Sequence, residues 1–328
     1  MIDEEKLKKR FLGCLIGLAV GDAYGTTYEF KNRSKMPSAE ALPDELVGGG
    51  PFNMNPGEWT DDTSMALCLA ESIIEKSWDT DDQMKKYIKW WQDGYNSVKG
   101  ECFDIGGATR NALSCYNMTG EFVKDSQAAG NGVLMRLAPV PMCCFDGQDS
   151  VFVLANSAFQ SSMTHPSSQS IECSMLMGAI INKIFLGERD KMKILNFNTL
   201  LDENSKQMYK ELYEKYNCHE NGRIEQMKEV LYKDSPESLI SGDGYCVYTL
   251  EAALWAFVST DSYKEGLKKV VALGDDTDTT GAVYGQIAGA YYGIDGIPWV
   301  SKVSWIEKIT KLAEDLYEIN KKTRTEII

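Results

Sequence analysis

Histidine is scarce in this sequence, which contains only His165 and His219, so a histidine-rich metal centre is excluded. The nine cysteines are odd in number and form no Cys-x-x-Cys pair, which argues against a zinc cluster and against a disulfide framework. No segment approaches the ~20 apolar residues that a membrane-spanning helix needs. The motifs of a serine hydrolase elbow and of a P-loop are also missing. We therefore predict a cytoplasmic protein without a membrane span.

Basic residues are in the minority. The 34 Lys and Arg residues stand against 48 Asp and Glu residues, which gives a formal net charge of -14 and a pI near 4.8. This balance disfavours a surface that follows nucleic-acid phosphates, although it allows a local positive pocket for a small anion. The N-terminal "KKRFLGCLIGLAVGDAYG" imitates a signal peptide, but acids precede it and Asp22 interrupts it, so we interpret it as a core helix. We expect neither nucleic acid nor a membrane as a partner.

Apolar residues recur at spacings of three and four along most of the chain, and convincing alternating strands are missing, so we predict an all-α fold. We expect one domain over residues 1–328, with a charged helical insertion at about 187–244. The predicted helices run from Leu7 to Tyr24, Ser64 to Lys76, Asp81 to Gln92, Gly107 to Tyr116, Ser150 to Ser162, Ser168 to Leu186, Leu250 to Val258, Ser262 to Leu273, Thr279 to Tyr292 and Ser304 to Asn320.

Two of these helices carry a glycine at every fourth residue. A glycine inside a helix costs about 1 kcal/mol relative to alanine, so such rows indicate backbones that approach each other closely. Both rows adjoin acidic or threonine-rich residues, which places polar chemistry beside a rigid core. The rows are Gly13, Gly17, Gly21 and Gly25, and Gly281, Gly285, Gly289 and Gly293.

Aspartates crowd between threonines at two distant places. The two clusters are Thr60, Asp61 and Asp62 in "WTDDTS", and Asp275, Asp276 and Asp278 in "GDDTDTT". Acids at the start of a helix commonly cap its N–H groups, as we expect of the acids in "WDTDDQ". Hard divalent cations favour carboxylate and hydroxyl oxygens, so the two clusters can also hold a pair of metals about 3.5–4 Å apart. Spacing alone leaves capping and metal binding both open.

Five ordered motifs resemble the ADP-ribosylglycohydrolase family, which includes the hydrolase that reactivates dinitrogenase reductase. The motifs are "GCLIGLAVGDAYGTTYEF", "WTDDTSMAL", "GNGVLMRLAPV", "THPS" and "GDDTDTTGAVYGQIAGAYYG". The resemblance extends from about Leu12 to Trp299, and it is weakest in the charged insertion.

This resemblance implies an orthogonal all-α bundle whose cleft holds two divalent cations, Mg²⁺ or Mn²⁺. Asp275 stands where the family usually has glycine, so it either tightens the helix cap or adds negative charge beside the metals. The implied metal ligands are Thr60, Asp61, Asp62, Asp276, Asp278 and Thr279.

The resemblance also implies residues for catalysis and substrate binding. Glu29 matches a family glutamate near the scissile bond, and either Glu29 or Asp62 is expected to assist proton transfer. Asp104, in "FDIGGATR", resembles an aspartate that faces the guanidinium in arginine-directed members, although a helix N-cap is the other interpretation. Further implied substrate contacts are Gly130, Asn131 and Gly132, whose N–H groups are expected to precede a helix, together with His165 and Tyr245.

The activity implied is metal-dependent hydrolysis of an ADP-ribosyl group from a protein side chain, with arginine as the leading candidate. The substrate is then an ADP-ribosylated protein or a small ADP-ribose conjugate. Serine-linked ADP-ribose, O-acetyl-ADP-ribose and poly-ADP-ribose remain alternatives. So does a family member that binds ADP-ribose or is structural and catalyses nothing, because a fold does not fix a function.

Overall fold

The computed structural model describes residues 3–124 and 127–327. Its α-helices are α1 Glu4–Gly25, α2 Asp61–Lys76, α3 Thr80–Asp93, α4 Gly107–Thr119, α5 Pro139–Cys144, α6 Val151–Thr164, α7 Ser168–Phe185, α8 Lys191–Leu195, α9 Phe197–Leu200, α10 Glu203–Lys215, α11 Gly222–Lys228, α12 Cys246–Val258, α13 Tyr263–Val271, α14 Thr277–Tyr292 and α15 Ile306–Ile327. Over these residues there is no β-sheet, only isolated bridges. The predicted all-α class is confirmed.

Every predicted helix coincides with an observed one, but five of them, α1, α2, α3, α12 and α14, begin earlier than expected, and two of these early starts concern the acid clusters. Helix α2 begins at Asp61 instead of Ser64, and α14 begins at Thr277 instead of Thr279. Both acid clusters therefore reach into first helical turns. The short α5 was not predicted, because its six residues give little periodicity and include two prolines; Pro139 fits there since the first helical position needs no N–H donor.

Helices α1 and α14 are antiparallel and touch along their glycine rows. A Cβ atom at Gly13 would lie 2.1 Å from the carbonyl oxygen of Gly289, and one at Gly17 would lie 2.3 Å from that of Gly285. At the far end, a Cβ atom at Gly25 would lie 2.1 Å from the oxygen of Thr277. Only glycine allows this approach, so the rows fix the register of the pair.

The remaining long helices surround this pair. Buried apolar side chains of α2, α7, α12 and α15 join those of α1 and α14 in one continuous hydrophobic cluster. Among the described residues, none of the helices is both long and apolar enough to cross a membrane.

The charged stretch 187–244 contains α8 to α11. It is anchored by a buried carboxylate on α7: Glu172 accepts a hydrogen bond from Tyr209 and pairs with Lys228 at 2.7 Å. Apolar side chains of this stretch, such as Ile224 and Met227, also join the main cluster.

Candidate active site

The register of α1 and α14 sets the position of the site. It brings the last turn of α1, with Asp22, beside the first turn of α14, with Asp278. The first turn of α2 adds Asp61 and Asp62. Thr60 Oγ1 lies 3.2 Å from Asp278 Oδ2, and Thr279 Oγ1 donates to Asp62 Oδ1 at 3.3 Å, so the two predicted clusters meet directly.

Asp22 holds the start of α2 against α1. Its fully buried carboxylate accepts the backbone N–H of Thr60 at 2.9 Å and that of Thr63 at 3.0 Å. Both threonine hydroxyls donate to it as well, at 3.0 and 2.6 Å. Sequence reasoning missed this role, although a single carboxylate inside a glycine-rich apolar helix was a usable signal.

Carboxylate oxygens are crowded in two overlapping groups. Oxygens of Asp22, Asp62 and Asp278 lie within 4.8 Å of one another, and so do oxygens of Glu29, Asp104 and Asp278. Asp278 is shared, so the groups are adjacent. Sequence analysis placed Glu29 and Asp104 with the substrate and did not anticipate that both reach Asp278.

Burial and mutual repulsion disfavour negative charge in this cluster when no cation is present. Burial raises the pKa of Glu29 to about 9, with Asp104 adding to the effect, and burial raises the pKa of Asp104 to about 7. Burial followed by repulsion from neighbouring carboxylates raises the pKa values of Asp61, Asp62 and Asp278 well above the usual range. Within residues 3–124 and 127–327, these carboxylates form no ion pair with Lys or Arg.

The oxygen atoms of this cluster fit the coordination preference of a hard divalent cation. Asp62 Oδ2 and Glu29 Oε2 are buried oxygens without a hydrogen-bond partner. Buried acceptors that stay unpaired are costly, and a divalent cation would satisfy them and offset the repulsion. Asp22 is different, since its oxygens already accept several hydrogen bonds, so we assign it to positioning.

Helix capping does not account for the first cluster. Thr60 is the N-cap residue of α2 and makes no side-chain capping bond. On α3 the expected capping does occur, since the side chain of Asp79 accepts from the N–H of Asp82 at 3.1 Å. Asp104 is not the N-cap of α4 either, because that position is Gly106.

A cavity of about 700 Å³ opens over the acidic cluster, a size typical of small-molecule sites. Predicted residues among its lining are Glu29, Asp61, Asp104, Gly130, Asn131, Gly132, His165, Asp276, Asp278 and Thr279, and Asp275 lines it too. Thr60 and Asp62 are buried at its floor, in contact with Asp278 and Thr279. Asn131 joins one wall to the second cluster by donating to Asp276 Oδ2 at 2.8 Å.

His165 lies on the same side of the cavity, against Gly130 and Gly132. Burial, with a contribution from Arg136, lowers the pKa of His165 to about 3, so its ring is neutral at physiological pH. A Cβ atom at Gly132 would lie 3.0 Å from the His165 ring, so glycine leaves room for it. Buried Arg136 braces this wall by donating to the carbonyl of Gly132 and, at 2.6 Å, to Thr164 Oγ1.

The glycine loop differs from expectation in one respect. Turns follow Gly132 directly, and the next helix, α5, begins only at Pro139, so the expected helix N-terminus does not lie behind the loop. The loop is held instead by the segment before α12: Asn131 N–H donates to the carbonyl of Gly244 at 3.1 Å. Tyr245 does not line the cavity; its hydroxyl accepts from Asn221 Nδ2 at 3.2 Å.

Comparison with known proteins gives a consistent picture. A family model described as ADP-ribosylglycohydrolase matches residues 3–326. The chain is 37% identical over 320 residues to the ADP-ribosylarginine hydrolase Tri1 of Pseudomonas putida, covering 96% of this chain and 79% of that protein. It is 29% identical over 301 residues to the ADP-ribosyl-[dinitrogen reductase] glycohydrolase of Rhodospirillum rubrum, covering 90% of each chain.

A solved structure has the same fold. It carries the description "ADP-ribosylglycohydrolase-related protein complex", and its TM-score with this chain is 0.79. The two are 35% identical in sequence, and the match covers 96% of this chain and 99% of the other.

Proposed function

The chain belongs to the ADP-ribosylglycohydrolase family and is an ADP-ribosylglycohydrolase, and on this premise we propose that it hydrolyses the bond between ADP-ribose and an arginine side chain of a protein. The observation that carries the choice of arginine is the Asp104 carboxylate, which lies at the wall of the cavity beside Glu29 and Asp278. A guanidinium is a planar cation that carboxylates bind with paired hydrogen bonds. The similarity to an ADP-ribosylarginine hydrolase supports the same choice.

We propose that two divalent cations, Mg²⁺ or Mn²⁺, are held by Thr60, Asp61, Asp62, Asp276, Asp278 and Thr279. The unpaired buried oxygen of Asp62 and the crowding around Asp278 support this ligand set. When bound, such cations supply Lewis acidity that polarises water and the ribose hydroxyls. Mg²⁺ and Mn²⁺ share the oxygen preference of this set, so the choice between them is left to measurement.

The protein's own groups account for the proton transfers. Hydrolysis breaks the bond between the anomeric carbon and the guanidine nitrogen and joins a water oxygen to that carbon, through an oxocarbenium-like state. We propose that a carboxylate, Asp62 or Glu29, accepts the proton of the water, and that a protonated carboxyl returns one to the leaving nitrogen. Glu29 supports this scheme by its position, because its buried Oε2 has no hydrogen-bond partner within the described residues and its side chain lines the cavity beside Asp278.

The residues on the Asn131 side of the cavity are proposed to bind the ADP-ribose. Asn131, positioned by Asp276, and the small residues Gly130 and Gly132 line the cavity, and we place the ribose and diphosphate against them. Neutral His165 contributes a contact and not a charge. Tyr245 is proposed at the nucleoside end, where it acts through the segment that holds the loop.

Release of ADP-ribose from matched arginine-linked and serine-linked peptides, with Mg²⁺ or Mn²⁺ and again with chelator, tests the proposal. We expect metal-dependent release from the arginine peptide alone. Release from the serine peptide alone would refute the arginine assignment. No release from either would favour O-acetyl-ADP-ribose, poly-ADP-ribose or a role in binding.

We also propose that residues 1–328 form one domain that works in the cytoplasm. The nine cysteines are free in the structure, which suits a reducing compartment. Helices α8 to α11 pack on the main core, which supports treating 187–244 as an insertion in that domain.

A further inference from the structure

Three aromatic rings form a partly exposed surface at the edge of the cavity, which we call the aromatic rim: Phe30, Phe52 and Phe103. The ring centroids of Phe30 and Phe52 are 6.2 Å apart, and those of Phe52 and Phe103 are 5.2 Å apart. Phe30 follows Glu29 in sequence and Phe103 precedes Asp104. The aromatic rim therefore adjoins the part of the cavity where the proposed function places the arginine.

The backbone fixes Phe30 in its exposed position. Its side chain is 67% exposed, and its φ of 59° lies in the left-handed region that residues other than glycine rarely adopt. Phe30 N–H donates to the carbonyl of Asp275 at 2.8 Å, and Asp275 N–H donates to the carbonyl of Lys31 at 2.9 Å. Together with the partly exposed rings of Phe52 and Phe103, the Phe30 ring forms a contiguous apolar patch, and such patches mark interaction sites.

Asp275 adds a carboxylate to the same edge of the cavity. Its side chain lines the cavity and has no hydrogen-bond or ion-pair partner in the described part of the chain. Its φ is 63°, a conformation that glycine adopts without strain but that is strained for a residue with a side chain. The side chain is therefore present at a conformational cost, and no contact of the side chain with the described residues compensates for it.

We propose that the aromatic rim and Asp275 bind the polypeptide segment that carries the modified arginine. The inference rests on the proposed function, because it assigns the protein part of that substrate. The rings are suited to contact an apolar residue next to the modified arginine, and Asp275 is suited to pair with a basic residue of the segment. Continuity with the cavity supports this occupant, since a segment whose ADP-ribose enters the cavity must pass over its edge.

Two substrates with the same linkage distinguish an effect on peptide binding at the aromatic rim from an effect on bond cleavage. One is ADP-ribosyl-L-arginine, and the other is a peptide whose ADP-ribosylated arginine is flanked by leucine and lysine. The variants are Phe52→Ala and Asp275→Gly. The matched control is Phe152→Ala, because Phe152 is also exposed, at 57%, but lies at the end of α6 remote from His165.

We expect Phe52→Ala to raise KM for the peptide about tenfold more than KM for ADP-ribosyl-L-arginine, with kcat for the peptide little altered. Asp275→Gly should raise the peptide KM about threefold at low ionic strength, and salt should remove this effect. Phe152→Ala should behave as the wild type with both substrates. If Phe52→Ala fails to fold, Asp275→Gly still tests the docking surface, because glycine adopts the observed φ without strain and the variant should fold.

Two failures are distinguishable. If the wild type cleaves both substrates and the variants change both KM values equally, or change neither, the docking surface is refuted while the proposed function stands. If the wild type cleaves neither arginine conjugate, the proposed function fails and the docking inference falls with it.

Discussion

A Cβ atom placed on Gly21 would lie 2.1 Å from the carbonyl oxygen of Gly281 and 2.5 Å from its carbonyl carbon. The obstacle is backbone on a neighbouring central helix, so no side-chain rotation can relieve it. This contact lies one residue before Asp22 on α1 and three residues after Asp278 on α14. Core packing and the position of the carboxylates are therefore coupled at this point.

Gly21→Ala should lower the free energy of unfolding by about 3 kcal/mol or more, because overpacking against backbone cannot be absorbed by rotamers. Denaturant unfolding measures this. The control is Gly222→Ala, at an exposed helical glycine with nothing within 4 Å of the added Cβ, which should be neutral or stabilising by up to ~1 kcal/mol. Equal destabilisation by the two variants would contradict the close contact.

Asp62→Asn should reduce kcat by about 10²–10⁴, because it removes a charged acceptor from the proposed metal site and proton-transfer set. The sequence offers a matched control. Asp82 follows the same Thr-Asp pair in the first turn of α3, but its carboxylate accepts from Ser72 Oγ at 2.6 Å and lies outside the cavity. Asp82→Asn should keep its activity; loss of activity in both variants would point to a general helix defect.

Without metal, the protein should become less stable as pH rises from 5 to 8. The carboxyl pKa values of Asp22, Asp104 and Glu29 are raised to about 6, 7 and 9, so the folded state holds protons that the unfolded chain has released. Their contribution is complete below pH ~4 and is lost as pH rises through these values. We expect a loss of several kcal/mol between pH 5 and 8 in chelator, because each pH unit over which one such carboxyl alone stays protonated in the folded state costs about 1.4 kcal/mol; thermal or denaturant unfolding measures it.

Two comparisons check the origin of this pH dependence. Saturating Mg²⁺ or Mn²⁺ should raise Tm most at pH 8, where protons compete least for the carboxylates. Glu29→Gln in chelator should flatten the upper part of the profile. A metal-free protein whose stability rises from pH 5 to 8 would contradict the clustering of these carboxyls.

Asp104→Asn should raise KM for ADP-ribosyl-L-arginine by about tenfold or more, because a guanidinium loses a charged partner. Asp104 has a φ of 60°, and asparagine tolerates this conformation, so the fold should persist. The dissociation constant of free ADP-ribose, which has no guanidinium, should change much less. Equal weakening of both ligands would place Asp104 at the ribose and not at the arginine.

Periodicity predicted the helices well because most bury one face, and the repeated glycine rows correctly indicated a close helix pair. The meeting of Thr60 with Asp278 followed from motif order and not from spacing. Tertiary contacts lay beyond the sequence: Asp22 looked like an interruption, yet it receives the N–H groups of Thr60 and Thr63. Glu29 and Asp104 approach Asp278 from loops in which Phe30 and Asp104 have left-handed backbone, and periodicity predicts neither the loops nor this conformation.

The glycine rows also restrict which parts of this protein tolerate substitution. A slip of α1 against α14 by one helical turn would move Asp22 and Asp278 apart by about 5.4 Å, and no side-chain change nearby could restore their contact. Phe30, Phe52 and Asp275 lie on loops at the edge, where substitution leaves that register untouched. If these loops bind the substrate segment as proposed, surface mutations can change which segment is accepted while the hydrolytic centre keeps its geometry.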